Sequence, residues 1–159
     1  MGCGVFPGRI RVFQGASELN LDAKGRLTVP TGHRELLLAQ AEGRLVATAH
    51  PHRCLLVYPR QAWEPIRAQI MSFSSLERQT SMVQRLLVGF AKDVEMDAAG
   101  RLLIPPELRR FASLEKQVML VGQGSHFEVW NMETWEQQIE QIVAQGDSLL
   151  PPGMEKFSL

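Results

Sequence analysis

Two short strings, Asp22-Ala-Lys-Gly-Arg26 and Asp97-Ala-Ala-Gly-Arg101, set an aspartate four residues ahead of an arginine with a glycine between. Two chemistries suit that spacing. A glycine turn with free backbone N–H groups beside a guanidinium accommodates phosphate, and arginine also reads guanine through paired hydrogen bonds in the DNA major groove. Alternatively, Arg26 and Arg101 pair with Asp22 and Asp97, and the arginines only lock their turns. Lys24 adds a cation at the tip of the first turn, where the second turn has Ala99.

The elements that must position these side chains repeat. Residues 18–30, ELNLDAKGRLTVP, align without gaps on residues 93–105, DVEMDAAGRLLIP, at an offset of 75, with six of thirteen positions identical. At an offset of 72, Val57, Tyr58 and Trp63 answer Val129, Trp130 and Trp135, and Ile70 answers Ile142, so each half has the same parts in the same order. Period-two alternation at Leu19, Leu21, Leu27 and Val29 predicts two strands joined through Asp22–Gly25 as a β-hairpin. Leu27 and Val29 then point inward, which turns Arg26 and Thr28 outward, and the same parity turns Arg101 outward. Pro30 and Pro105 end the second strands and open helices over 32–40 and 106–112. Strands follow over 44–48 and 54–58, and again over 117–121 and 126–130. Helices over 60–71 and 133–144 close the halves, with Trp63, Ile66 and Ile70, and Trp135, Ile139 and Ile142, at helical spacing. Between them, 72–75 reads as a loop and 76–88 as a helix with Val83, Leu86 and Leu87 on one face. These apolar stripes read as core packing.

A chain of 159 residues, 45% apolar and 21% charged, can bury a core and suits one domain or two small repeats. The cysteines, Cys3 and Cys54, are too few for a disulfide framework. Residues 1–20 lack the apolar stretch of a signal peptide and no run approaches a membrane span, so the expected compartment is the cytoplasm. The formal charge of zero argues against a simple nucleic-acid binder, but its distribution is uneven. Residues 1–92 carry twelve Lys/Arg and six Asp/Glu, net +6, whereas 93–159 carry five and eleven, net −6. Either the first half meets an anionic partner or the two halves pair with each other.

The string from Phe13 to Pro30, followed by Val83-Gln-Arg-Leu-Leu-Val-Gly89 and Asp97-Ala-Ala-Gly-Arg-Leu-Leu-Ile-Pro105, closely resembles the bacterial MraZ family of transcriptional regulators, over about residues 13–145. The resemblance implies an α+β fold of tandem AbrB-like (SpoVT-AbrB) swapped-hairpin β-barrel modules with flanking helices. It further implies a cytoplasmic, nucleoid-associated, ring-shaped homo-oligomer on double-stranded DNA with repeated boxes, upstream of division and cell-wall genes including its own. The expected organisation is a flexible extension over 1–12, module 1 over 13–71, a linker helix over 72–89, module 2 over 90–145 and a mobile tail over 146–159. Carried over onto this sequence, the DNA-facing arginines fall on Arg26 and Arg101, with Lys24 beside the first. Arg34 and Arg109, near the starts of matching helices, are further candidates, against an ordinary solvated helix face. The turn-forming residues are Asp22, Gly25, Asp97 and Gly100. No cofactor, membrane or small-molecule substrate is expected.

Three other readings compete. His50, His52 and Cys54 alternate and would share one face of a strand, a possible zinc set, but Pro51 interrupts the strand and no fourth ligand is evident. Neither a GxxxxGK[ST] loop nor a GxSxG elbow occurs, and Gly122-Gln-Gly-Ser125 lacks the downstream helix of a dinucleotide fingerprint, so catalysis is not expected. A structural ring or protein-interaction hub would need the arginines only as turn locks. AbrB-like antitoxins usually carry one motif and a toxin-binding tail, against two motifs and a short tail here.

Overall fold

Proline ends each motif strand and opens the helix that follows, and this order recurs in both halves. A computed structural model describes residues 12–154, 156 and 157. The first half comprises β1 (Phe13–Asn20), β2 (Arg26–Thr28), α1 (Thr31–Ala41), β3 (Arg44–Ala49), β4 (Leu55–Pro59) and α2 (Arg60–Met71). After α3 (Arg78–Leu87), the second half comprises β5 (Lys92–Glu95), β6 (Arg101–Leu103), α4 (Pro106–Phe111), β7 (Gln117–Gly124), β8 (Phe127–Asn131) and α5 (Met132–Gln145). A 3₁₀ turn at Gly146–Leu149 follows. The architecture is α+β, as expected. Of the extension expected over 1–12, residues 1–11 lie outside the described residues, and no helix among the described residues is long and apolar enough to cross a membrane.

The six-stranded sheet runs β1-β7-β8-β4-β3-β5, antiparallel throughout, and β2 and β6 form a separate two-stranded ribbon. This corrects the expected hairpin. The turn after β1 forms, with Gly25 N–H donating to the Asp22 carbonyl at 2.9 Å and Asp22 N–H to the Arg26 carbonyl at 2.9 Å. However, the strands on either side do not share a ladder. β1 pairs with β7 of the second half, β5 pairs with β3 of the first, and β2 pairs with β6 across the repeat. The physical reason is burial. Half a chain of this length would remove a smaller fraction of its surface from water than the whole chain does, which favours a shared core. Exchanged strands instead put Leu27, Val29, Leu45 and Val57 into one core with Leu102, Ile104, Val118 and Val129.

The inward parity of the motif strands holds, with Leu27 0% and Val29 1% exposed and Ile104 0%. The closing helices pack as read near the sheet: Trp63 joins Val46, Leu56 and Tyr58, and Trp135 lies 5.9 Å from Trp130. Four stripe residues stand outside the core: Val83 is 48% and Ile142 38% exposed, and Ile70 and Ile139 are half-buried. Helix α3 starts at Arg78 rather than 76, since Glu77 is extended, with φ −80° and ψ 130°. The buried Gln84 amide donates to the carbonyls of Ile70 (3.2 Å) and Phe73 (3.0 Å), which ties α3 to the end of α2.

Basic and acidic halves do meet: Arg44 lies 3.6 Å from Glu95 and Arg60 3.9 Å from Asp93. These pairs are exposed enough to add little stability, so the apolar core carries the assembly. Leu27→Ala, which empties a site shared by both repeats, should cost about 2–5 kcal/mol in urea unfolding followed by circular dichroism. A loss below about 1 kcal/mol would contradict a shared core.

Candidate nucleic-acid interface

Each motif aspartate organises its own turn. Asp22 Oδ1 accepts the backbone N–H of Lys24 at 2.9 Å and of Arg26 at 2.9 Å, while Oδ2 accepts Arg26 Nε at 2.6 Å. Asp97 repeats the pattern with Ala99 N (3.0 Å), Arg101 N (2.8 Å) and Arg101 Nε (2.9 Å). The donated Arg26 N–H, then its side-chain hydrogen bond and charge, hold the Asp22 carboxyl down at about 2. The Arg101 N–H and guanidinium lower Asp97 in the same direction. The expected free N–H groups of a phosphate-binding turn are therefore corrected. Lys24, Gly25 and Arg26 all direct their backbone N–H groups to Asp22, as do Ala99, Gly100 and Arg101 to Asp97.

What stays available for a ligand is side chain. Lys24 is exposed, and the Asp22 pair occupies only Nε of Arg26, leaving both terminal nitrogens without a hydrogen-bond partner among the described residues. The ribbon register sets Arg26 opposite Leu103, Leu27 opposite Leu102, and Thr28 opposite Arg101. Residues directly opposite share a face, so Arg26, Thr28, Arg101 and Leu103 lie on the outer one and Leu27 and Leu102 on the inner. The two motif arginines, far apart in sequence, thus stand diagonally across a narrow ribbon, a spacing of roughly 7 to 8 Å between such positions. Leu103, 51% exposed, is the outer-face residue that sequence reading passed over. Its signal was available, since it aligns with the outward Thr28 at the same offset.

Arg34 and Arg109 have a different setting, and neither is an ordinary solvated helix position. Both are partly buried on the first turns of α1 and α4. Arg34 Nη2 donates to the Val29 carbonyl at 2.9 Å, and Arg109 Nε to the Ile104 carbonyl at 2.9 Å. Each guanidinium packs on the turn glycine of the opposite repeat, Arg34 on Gly100 and Arg109 on Gly25.

The His50–Cys54 segment is the turn between β3 and β4 rather than a strand, so its alternation does not create a common face. His50 Nδ1 accepts the His52 N–H at 3.0 Å, and burial pushes the Cys54 thiol up to about 12. Among the described residues, no group of three or more His, Cys, Asp or Glu is arranged to hold a metal ion.

A pH prediction follows from the turn. Because the folded Asp22 carboxyl is depressed from 3.8 to about 2, its contribution to stability is complete above 3.8 and is lost as pH falls through that window. Thermal melts across the window should show a loss that Asp22→Asn diminishes. An identical pH profile in the variant would contradict the carboxylate lock.

The family model for the MraZ protein matches residues 12–86 and again 87–149. A protein named transcriptional regulator MraZ from Methylobacillus flagellatus is 63% identical over 148 residues, covering 93% of this chain and 100% of that relative. Those of Dechloromonas aromatica (55% over 142 residues, 89% of this chain and 96% of the relative) and Azoarcus sp. (53% over 148, 93% and 100%) carry the same name. Two family-model matches, one to each half of an internally repeated fold, together with relatives matched over nearly their whole length, establish that the chain belongs to the MraZ family.

Proposed function

We propose that this chain is a sequence-specific DNA-binding transcriptional regulator that presents the outer face of the β2–β6 ribbon to the major groove. The observation that carries this reading is the register of the ribbon, which gathers Arg26, Thr28 and Arg101 on one outward face with Lys24 beside it. A two-stranded ribbon is narrow enough for the major groove, where guanidinium groups pair with guanine edges or anchor on phosphate. The relatives' name, transcriptional regulator, points the same way.

In this reading Lys24, Arg26 and Arg101 contact DNA, and the first turn contributes more because Ala99 replaces lysine in the second. Asp22 and Asp97 orient the guanidinium groups through Nε, so turn locking and DNA contact are compatible uses of one arginine. The chain works as tandem swapped-hairpin modules over 13–71 and 90–145, joined through 72–89, and as a ring-shaped homo-oligomer in the cytoplasm at the nucleoid. Its targets are repeated boxes upstream of division and cell-wall genes, its own included. Such an assembly accounts for a neutral DNA binder: one chain offers few cationic contacts, but several modules on several boxes raise affinity by ~10² to 10⁴ through effective concentration. The role is binding, without catalysis or cofactor.

A second reading, a structural ring without DNA binding, is favoured by the Asp22–Arg26 and Asp97–Arg101 pairs, which already occupy part of each guanidinium. Fluorescence anisotropy separates the two. Duplex from upstream of the chain's own gene should bind in a salt-dependent manner and more tightly than scrambled duplex. Arg26→Ala with Arg101→Ala should abolish that preference, at about 1–3 kcal/mol per lost contact, while the circular dichroism of the variant stays native. Absence of binding by the native protein at low salt would establish the second reading instead.

A further inference from the structure

We infer that Arg34 and Arg109 are positioning residues that act across the repeat: Arg109 holds the first turn, with Lys24 and Arg26, and Arg34 holds the second, with Arg101. The assignment of DNA-facing residues rests on the function proposed above; the holding itself rests on geometry. Gly25 (φ +87°) and Gly100 (φ +79°) are left-handed, and a Cβ built on either would strike the opposite repeat's arginine. On Gly25 it would lie 2.5 Å from Arg109 Cζ, and on Gly100 2.2 Å from Arg34 Nε. The space of the missing side chain is therefore the seat of the guanidinium, which a Cβ would displace, while the left-handed backbone is what favours glycine.

Each seat is closed by a second pair of hydrogen bonds. Val29 accepts from Arg34 Nη2 at 2.9 Å and donates its own N–H to the Gly100 carbonyl at 2.9 Å. Ile104 accepts from Arg109 Nε at 2.9 Å and donates to the Gly25 carbonyl at 3.0 Å. Arginine, strand residue and opposite glycine thus form a closed figure in each half. The helix start fixes the arginine, since Arg34 N–H donates to the Pro30 carbonyl at 2.9 Å and Arg109 N–H to that of Pro105 at 3.0 Å. Arg34 Nε is buried against Gly100 without a hydrogen-bond partner among the described residues, an unfavourable setting for a charged group. A lysine would keep the charge but lose the planar fork that both donates to the strand and lies on the turn.

The consequence is that the wiring is crossed. A change in α4 of the second repeat loosens the lysine-bearing turn of the first, and a change in α1 loosens the turn that lacks lysine. Loss of Arg109 therefore weakens DNA binding more than loss of Arg34. A direct phosphate contact by either arginine makes a different prediction, because its loss would multiply with the loss of any other contact.

The full-length chain is studied as Arg34→Met, Arg109→Met, Arg26→Ala, Arg101→Ala and the four pairings of a methionine with an alanine variant. Two readouts are taken: amide hydrogen exchange at 24–26 and 99–101, and anisotropy with duplex from upstream of the gene. Arg109→Met should speed exchange at 24–26 by roughly ten-fold and leave 99–101 unchanged, with Arg34→Met doing the reverse. On DNA, Arg109→Met should add less than about two-fold to Arg26→Ala but multiply fully with Arg101→Ala. The assignment is overturned if each arginine alters the turn of its own repeat, if both turns respond equally, or if Arg109→Met multiplies fully with Arg26→Ala. Should a methionine variant fail to fold, Arg109→Lys and Arg34→Lys are judged by the same criteria. If the native chain binds no DNA, the proposed function fails, and the exchange measurement alone decides whether the arginines hold the opposite turns.

Discussion

The structure turns on a crossing. At the β2–β6 ribbon, Val29 N–H donates to the Gly100 carbonyl and Ile104 N–H to that of Gly25, so each repeat's motif strand is completed by the other's turn. The same exchange continues outward, where β1 joins β7 and β5 joins β3. Its physical basis is the scale of the core. Leu27, Val29, Leu102 and Ile104 belong to one core to which both halves contribute, and a joint core buries a larger fraction of surface than two separate ones would. With the crossing in place, the helices α1 and α4 have a fixed origin, since both begin at the prolines that end the ribbon strands.

Four arginines surround this crossing and divide into two kinds of work. Arg26 and Arg101 stand on the outer face, tethered through Nε to the carboxylate of their own turn. Arg34 and Arg109 lie against the opposite turn and bond inward to strand carbonyls. The difference follows from secondary structure. A strand of period two turns alternate side chains outward, while an arginine on the first turn of a helix that starts at the ribbon reaches back over the neighbouring turn. Aspartate also has two tasks in this arrangement. Asp22 satisfies the turn's backbone donors and restricts the guanidinium, which lowers the entropy that Arg26 would lose on meeting a ligand.

The uneven charge of the chain fits the same geometry. Basic side chains of the first half meet acidic ones of the second along β3, β5 and α2, as Arg44 with Glu95 and Arg60 with Asp93. Internal pairing consumes part of the asymmetry, and Lys24 and the ribbon arginines remain outward. Net charge alone is thus a poor guide to binding in a molecule whose cations are sorted by position.

Much of this was legible in the residues. The motif's recurrence at an offset of 75 established the two-part order, the prolines marked where helices begin, and alternation correctly put Leu27 and Val29 inside and Arg26 outside. The aspartate lock was readable as one of two alternatives, because its partners are four residues apart. Strand partners were not readable. Turn chemistry specifies that the chain reverses at Gly25, but β1 meets β7 rather than β2 because burying both apolar faces together is a property of the whole chain. Nor does any short spacing link Arg34 to Gly100 or Arg109 to Gly25. Sequence alone determined the local turns, the faces and the repeat; tertiary structure decided which repeat completes which turn, since hydrophobic burial acts on the collapsed chain and carries no memory of distance along it.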